Sequence, residues 1–338
     1  MGRSSLEKGF SPRRILVIQL RQVGDAILCT PAIRALRRSF PDSRIDFLAE
    51  RPAAMAIRGN PNLENIIVLD QPESWEAVLR LISRIWGNRY DLAIDYLANP
   101  LSALISAICA KFSISYAGKI RSRLYTCALE QQGEYSAAHK LSLLRALSIE
   151  DGNLKPEFYV SEAAQKRIDG WLEQQGIKKN DRFIVIDPTH RRATRRYTRF
   201  AEVARLIFSR LGVRCVFVWG PGEETDVREI FENAGEGHLL APRTNLAELG
   251  ALISRASLLT GNDSAPRHIA AALGVPTVIT IGATQARDWT LPLPIHRTVA
   301  LDIECRPCDK NTCKHDEVKC MIRLEPERVF QEIKDVLS

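Results

Sequence analysis

Nowhere in the 338 residues is there an unbroken apolar run of the roughly 18 residues that a membrane-spanning helix needs. The best candidate, Leu273 to Ala283, is shorter and is interrupted by Pro276, so an integral membrane protein is not expected. A signal-peptide core is lacking as well. The opening residues are polar and end in Arg13 and Arg14, and the apolar run Ile15 to Ile18 leads on to Arg21, which predicts a cytoplasmic location. Aromatic residues make up only 7%, and the excess of 47 Lys and Arg over 40 Asp and Glu leaves a net charge of +7. That excess is split evenly, +4 in residues 1–165 and +3 in the rest. It suits phosphates or an anionic membrane face and falls short of a nucleic-acid footprint concentrated on one face. A disulfide framework is missing too: Cys29, Cys109, Cys127 and Cys215 are scattered singly, as buried hydrophobes usually are.

What is present is ordinary globular composition, 45% hydrophobic and 26% charged, at a length that suits two domains. Short Val/Ile/Leu-rich segments alternate with longer helical patterns, the mark of parallel α/β architecture. In the first half the pattern predicts strands at Arg14–Leu20, Arg44–Ala49, Ile66–Leu69, Asp91–Asp95 and Ser113–Tyr116. Helices are expected around Ile27–Ser39, Trp75–Trp86, Leu101–Lys111 and Ala137–Leu147. A polar connector, Ser161–Asp181, precedes a second series of strands at Phe183–Asp187, Cys215–Trp219, Leu239–Leu240, Leu258–Gly261 and Thr277–Ile281. Two doubly wound sheets imply a cleft between domains, with ligands at the carboxyl ends of the strands. The expected divisions are 1–165, 166–324 and a terminal helix over 325–338.

The first strand runs into Gln19-Leu-Arg-Gln-Val-Gly24-Asp25 and then an amphipathic helix. Gly24 permits a sharp turn, and Asp25 falls at the helix start, where it can serve as an N-cap, as a general base, or as both. Thr30-Pro31 either opens a second helical segment or kinks the first. Further on, Gly261-Asn-Asp-Ser-Ala-Pro-Arg-His268 joins a strand to an alanine-rich helix that stops at Gly274. Asp263 or Ser264 can cap that helix and Pro266 suits its first turn, leaving N–H donors for an anion, with His268 one turn further in. Taken alone, the same residues could simply cap a structural helix.

Arg191, Arg192, Arg195, Arg196 and Arg199 gather after the strand Phe183–Asp187, either as phosphate-binding forks or as a solvated basic loop. Gly220 and Gly222, in Gly220-Pro-Gly-Glu223, allow close approach of a nucleotide. Cys305, Cys308, Cys313 and Cys320 place four thiols within sixteen residues. Such a set suits tetrahedral zinc or iron, His315 could replace one ligand, and the spacing is tighter than in a zinc ribbon.

Two of these strings, Ile15 to Arg38 and Gly261-Asn-Asp-Ser-Ala-Pro-x-His-Ile-Ala-Ala-Ala-Leu-Gly274, resemble the two signatures of the heptosyltransferases, glycosyltransferase family nine. They lie in the family's order and some 240 residues apart. The resemblance implies a GT-B fold of two Rossmann-like domains, the first binding the acceptor and the second the nucleotide sugar. It implies Asp25 as the catalytic base of an inverting transfer from ADP-heptose, with no cofactor required for catalysis. Donor contacts carried over are Asn262, Asp263, Ser264, Ala265 and His268. Thr189 lies on the same donor-facing loop as Arg195, which stands where the family often has the lysine of Lys-Arg-Trp-Pro; that Trp-Pro is absent here. Gly220 and Glu223 match a Gly-Pro-Gly-Glu turn, and Thr284 ends a Gly-Pro-Thr turn in which Ala283 replaces proline. The acceptor would be the lipopolysaccharide inner core at the cytoplasmic membrane face, with Arg21, Gly24, Arg121 and Arg123 as its contacts. The cysteine cluster matches that of family members resembling heptosyltransferase II and implies a structural metal. A related transferase using another nucleotide sugar, a metal-containing nucleic-acid binder and a silent scaffold are the competing readings.

Overall fold

The computed structural model describes residues 9–69, 75–118 and 120–338. The chain divides into two units, Met1–Tyr159 and Val160–Ser338. The first contains strands β1 (Arg14–Ile18), β2 (Arg44–Glu50), β3 (Asn65–Leu69), β4 (Tyr90–Asp95), β5 (Ala110–Tyr116) and β6 (Cys127–Leu129). Its helices are α1 (Val23–Leu28), α2 (Thr30–Ser39), α3 (Arg51–Ala56), α4 (Trp75–Trp86), α5 (Pro100–Cys109) and α6 (Ser136–Ser142). The six strands lie in the order β3-β2-β1-β4-β5-β6, all parallel, with Val17 of β1 opposite Phe47 on one side and Ile94 on the other.

The second unit contains α7 (Glu162–Gln174), β7 (Phe183–Asp187), α8 (Phe200–Leu211), β8 (Arg214–Phe217), α9 (Glu224–Ala234), β9 (Leu239–Leu240) and α10 (Leu246–Arg255). It continues with β10 (Leu258–Asn262), α11 (Ala265–Leu273), β11 (Thr277–Thr280), α12 (Ala286–Trp289), β12 (His296–Val299), α13 (Lys319–Ile322) and α14 (Pro326–Leu337). Its parallel sheet runs β12-β11-β10-β7-β8-β9. Counted from the first strand of each unit, the two orders are the same doubly wound arrangement. The chain reverses direction across the sheet between β1 and β4, and again between β7 and β10, and such switch points are where doubly wound sheets take ligands.

Both central strands are apolar on both faces because helices cover both, so β1 beyond Arg14 and all of β7 are buried. The edge strands β6 and β12 escape the sequence pattern because β6 has only three residues and β12 is short and largely polar. The helix expected over Ile27–Ser39 is two helices. The Thr30 hydroxyl donates to the Ile27 carbonyl at 2.7 Å and accepts from the Glu157 N–H at 2.7 Å, while Pro31 has no N–H to continue the first helix. At the chain's end, Val329, Phe330 and Ile333 of α14 are buried against Phe200, Val203 and Ile207 of α8. Each such side chain contributes roughly 1.5–3 kcal/mol of burial.

Candidate functional site

At the carboxyl end of β1 the backbone turns through Gln22, which adopts φ 67° at the N-cap position of α1. Asp25 therefore does not cap the helix; it is the third residue inside it, and its carboxylate points elsewhere. Its Oδ1 accepts from Lys140 Nζ at 3.2 Å, and the Asp25 side chain remains 25% exposed while that of Lys140 is 5% exposed. Lys140 lies on α6 and also donates to Ser136 Oγ at 3.3 Å. Burial by itself would lower the pKa of this ammonium, but the Asp25 carboxylate beside it outweighs that cost and holds the value above the ordinary one. Buried Cys29 lies beneath the pair, its thiol pushed up to about 12 by burial. Lys140 carried no signal in the sequence: a lysine in a helical pattern reads as solvated, and only the packing of α6 against α1 and α2 turns it inward.

The expected acceptor contacts lie around the same end of this sheet. Gly24 is in the first turn of α1. Arg21 is 63% exposed and donates to Glu50 at 2.9 Å. Arg121 and Arg123 sit in a 3₁₀ turn, Ile120–Leu124. Arg121 Nε reaches the Ala98 carbonyl at 3.4 Å. The turn is followed by Tyr125, whose hydroxyl donates to Asp95 Oδ2 at 2.6 Å. Asp95 ends β4, accepts from the Leu97 and Ala98 N–H groups as well, and has its pKa raised by burial.

In the second unit, the switch point between β7 and β10 sets Asp187 opposite Gly261. A Cβ on Gly261 would come within 2.5 Å of the Asp187 carbonyl oxygen, so only glycine fits this approach. Buried Asp187 accepts a hydrogen bond from the Ser264 hydroxyl. Burial pushes its carboxyl up to about 7, partly offset by Ser264 and reinforced by Glu223. Asp263 is also buried, yet its pKa falls: the burial cost is outweighed by Arg267, which donates to Oδ1 at 2.6 Å, and by Thr284, which donates to Oδ2 at 2.7 Å. Thus neither Asp263 nor Ser264 caps α11 through its side chain, and with Pro266 in the first turn the helix start is left to other acceptors. Ala265 is the first residue of that helix. His268 is buried one turn in, with its ring 6.2 Å from that of Trp289.

Asn262 has a different task from the expected donor contact. Its Oδ1 accepts from the Tyr197 N–H at 2.8 Å and its Nδ2 donates to the Pro188 carbonyl at 2.9 Å, so it ties down the arginine-bearing loop. In that loop Arg196 pairs with Asp226, and Arg199 with Glu202 and Glu325; Arg191 and Arg192 are exposed. Arg195 differs. It is half-buried, its Nε has no hydrogen-bond partner, and burial lowers its pKa while the charge of nearby Asp263 raises it. Thr189 is buried with its hydroxyl unpaired. Glu223 Oε2 accepts from the Gly220 N–H at 2.9 Å and closes the glycine turn.

The cysteine segment buttresses these loops. The N–H groups of Cys308 and Asp309 donate to the Ala283 carbonyl at 3.0 and 2.9 Å, and Thr194 Oγ1 donates to the Lys310 carbonyl at 2.9 Å. The thiols themselves are spread from exposed Cys308 through half-buried Cys305 and Cys313 to buried Cys320. Among the described residues no three His, Cys, Asp or Glu side chains are grouped to hold a metal ion. Arg306 lies near Cys305, Cys308 and Cys320, and it donates to the carbonyls of Gly282 and Leu301. The expected structural zinc or iron is therefore not supported by this arrangement. The side chains missed by sequence reasoning are Lys140, Asp187, Arg267 and Asp95, all polar groups whose role depends on burial.

Residues 78–319 match Glycosyltransferase family 9 (heptosyltransferase). Over 291 residues, 80% of this chain and 84% of the relative, the sequence is 30% identical to lipopolysaccharide heptosyltransferase 3 of Escherichia coli K12. Among solved structures, the glycosyl transferase family 9 protein of Veillonella parvula superposes with a TM-score of 0.85 at 22% identity, covering 98% of this chain and 99% of that one. The ADP-heptose lps heptosyltransferase II of E. coli gives 0.76 at 22% identity, covering 96% and 98%. The fold is accordingly GT-B, and the chain belongs to glycosyltransferase family 9, the heptosyltransferases.

Proposed function

We propose that this protein transfers heptose from ADP-heptose to an inner-core sugar of lipopolysaccharide with inversion at the anomeric carbon. The observation that carries the reading is the Asp25 carboxylate, still open to solvent and held at 3.2 Å by a buried lysine, on the turn that bears the family's first signature. Asp25 takes the proton of an acceptor hydroxyl while that oxygen bonds to the anomeric carbon. The bond from that carbon to the diphosphate oxygen breaks, and its electron pair leaves on ADP. Negative charge then grows on the phosphate, where the N–H groups at the start of α11 and the half-buried Arg195 supply donors. Lys140 holds one carboxylate oxygen of Asp25 and so restricts how the side chain turns. Arg267 and Thr284 brace the helix start through Asp263, and Arg21, Arg121 and Arg123 offer cations to a phosphorylated acceptor.

The test is ADP release from ADP-heptose with a heptose-deficient lipopolysaccharide acceptor, comparing wild type with Asp25→Ala. Acceptor-dependent release that collapses in the variant, while donor binding survives, supports both the reaction and the base. Absence of donor binding in the wild type removes heptose as the transferred sugar.

A further inference from the structure

One face of the first unit's sheet is covered by α4 and α5, which lie side by side and pack Ile82, Ile85 and Ile105 against Leu16, Ile18 and Leu48 of the strands. A surface helix normally turns polar residues outward. These two turn apolar side chains outward as well. All ten residues of α5, Pro-Leu-Ser-Ala-Leu-Ile-Ser-Ala-Ile-Cys, are uncharged, and its outward positions are Leu104, Ala107 and Ile108. On α4 the exposed positions Leu79, Ser83 and Trp86 fall on one stripe, with Leu79 64% and Trp86 63% exposed. The 3₁₀ turn that packs on α5 adds Leu124 and Ile120, the latter 91% exposed. Six of the eleven large hydrophobic side chains exposed among the described residues thus sit on this one face.

The basic excess of this unit falls in the same stretch of sequence. Residues 75–124 hold seven Lys and Arg against three Asp and Glu, so they account for +4, and the remainder of residues 1–165 is neutral. Of the three acids Asp95 is buried, Asp91 is bound to Lys111 and only Glu76 is exposed, against exposed Arg80, Arg84, Arg89 and Arg123. Exposed apolar side chains on the same helix and turn as exposed Arg80, Arg84 and Arg123, with a tryptophan among them, match the boundary between lipid headgroups and acyl chains. A second copy of this chain fits poorly, because a two-fold contact would set the same arginines against one another. Among the described residues no helix is long enough to cross the bilayer, so contact would be from one side.

We infer that the α4–α5 face and the adjoining 3₁₀ turn dock on an anionic lipid bilayer. The turn stands at the carboxyl ends of β4 and β5, the end of the sheet that also bears Asp25, so a docked surface brings lipid-anchored acceptor to that edge. This last step rests on the proposed function; the docking itself does not.

Vesicle flotation with the full chain tests it, using phosphatidylcholine vesicles with and without phosphatidylglycerol and no donor or acceptor. The protein floats with the anionic vesicles, and added salt weakens the association. Leu104→Ser with Ile108→Ser, and separately Arg80→Glu with Arg84→Glu, each reduce the bound fraction tenfold or more. Unchanged melting and ADP binding show that these variants remain folded. Their turnover stays at the wild-type level on detergent-dispersed acceptor and falls on acceptor embedded in vesicles. Absence of flotation with anionic vesicles, flotation that ignores both variants, or a dimer in sedimentation velocity that these variants dissociate would each overturn the inference. A wild type that floats yet releases no ADP with dispersed acceptor would instead sink the reaction and leave the docking intact.

Discussion

The two sheets are wound in the same order, yet the turns at their switch points are built with opposite chemistry. In the first unit the acid is presented: Asp25 sits within a six-residue helix, partly exposed, with its single described side-chain partner a lysine. In the second unit the acids are put away. Asp187 is locked to Ser264 and Asp263 to Arg267 and Thr284, and what faces outward is the uncapped start of α11 and the half-buried Arg195. One topology therefore offers a proton acceptor on one unit and anion donors on the other. The difference lies in which polar groups the packing leaves unspent.

The largest effect should come from erasing the presented acid. Asp25→Asn keeps the shape and removes the base, so kcat should fall by about 10²–10⁴ while ADP-heptose affinity measured by calorimetry stays put. A loss confined to KM would instead make Asp25 a binding group. The matching change in the second unit should break the fold rather than the chemistry. Asp263→Ala leaves the buried Arg267 guanidinium without its carboxylate, and denaturant unfolding should show a loss of roughly 3–5 kcal/mol. Full stability in that variant would mean that Asp263 is not part of the brace.

This contrast also explains what was legible in the sequence. The strands were, because Ile15–Ile18 and Phe183–Val185 are apolar on both faces and no water-facing element tolerates such runs. Asp25 and the Gly261–His268 string could be singled out as candidates because they stand at strand ends beside residues with conformational reasons to be there. Lys140 and Asp187 were not, since an isolated lysine in a helix and the last aspartate of a strand acquire meaning only when packing removes water from them. Asn262 was assigned to ligand because its position is right, but its amide is already committed to the backbone of the loop beside it. The cysteines showed the limit of spacing: residues close in sequence can still range from exposed to buried.

A milder effect is expected from Lys140→Met, which removes the cation without opening a large void. Turnover should drop about tenfold as Asp25 loses its fixed orientation, and a double-mutant cycle with Asp25→Asn should give a coupling of about 0.5–3 kcal/mol. Lys140→Arg should restore part of the rate. Additive losses would separate the lysine from the base and leave it a packing residue.

The smallest effect is the most specific to the hidden acids. Asp187 carries a carboxyl raised to about 7, so it takes up a proton in the folded state at a pH where the unfolded chain has released it. Its contribution to stability is therefore full below the unfolded pKa of about 4 and is lost as the pH rises towards 7. Asp187→Asn, which cannot ionise, should be the more stable protein at pH 8, and its advantage should vanish by pH 4. The same sign governs ligand binding. Ionised Asp187 would set a negative charge beside the start of α11, where the proposed diphosphate binds, so ADP affinity should weaken several-fold between pH 6 and pH 8 in the wild type. The phosphate of ADP titrates over the same range in both proteins, which makes the difference between wild type and Asp187→Asn the quantity to follow by calorimetry. Identical pH profiles for the two would place the diphosphate away from the β7–β10 switch point, and the contrast between a presented acid and a hidden one would then hold for the first unit alone.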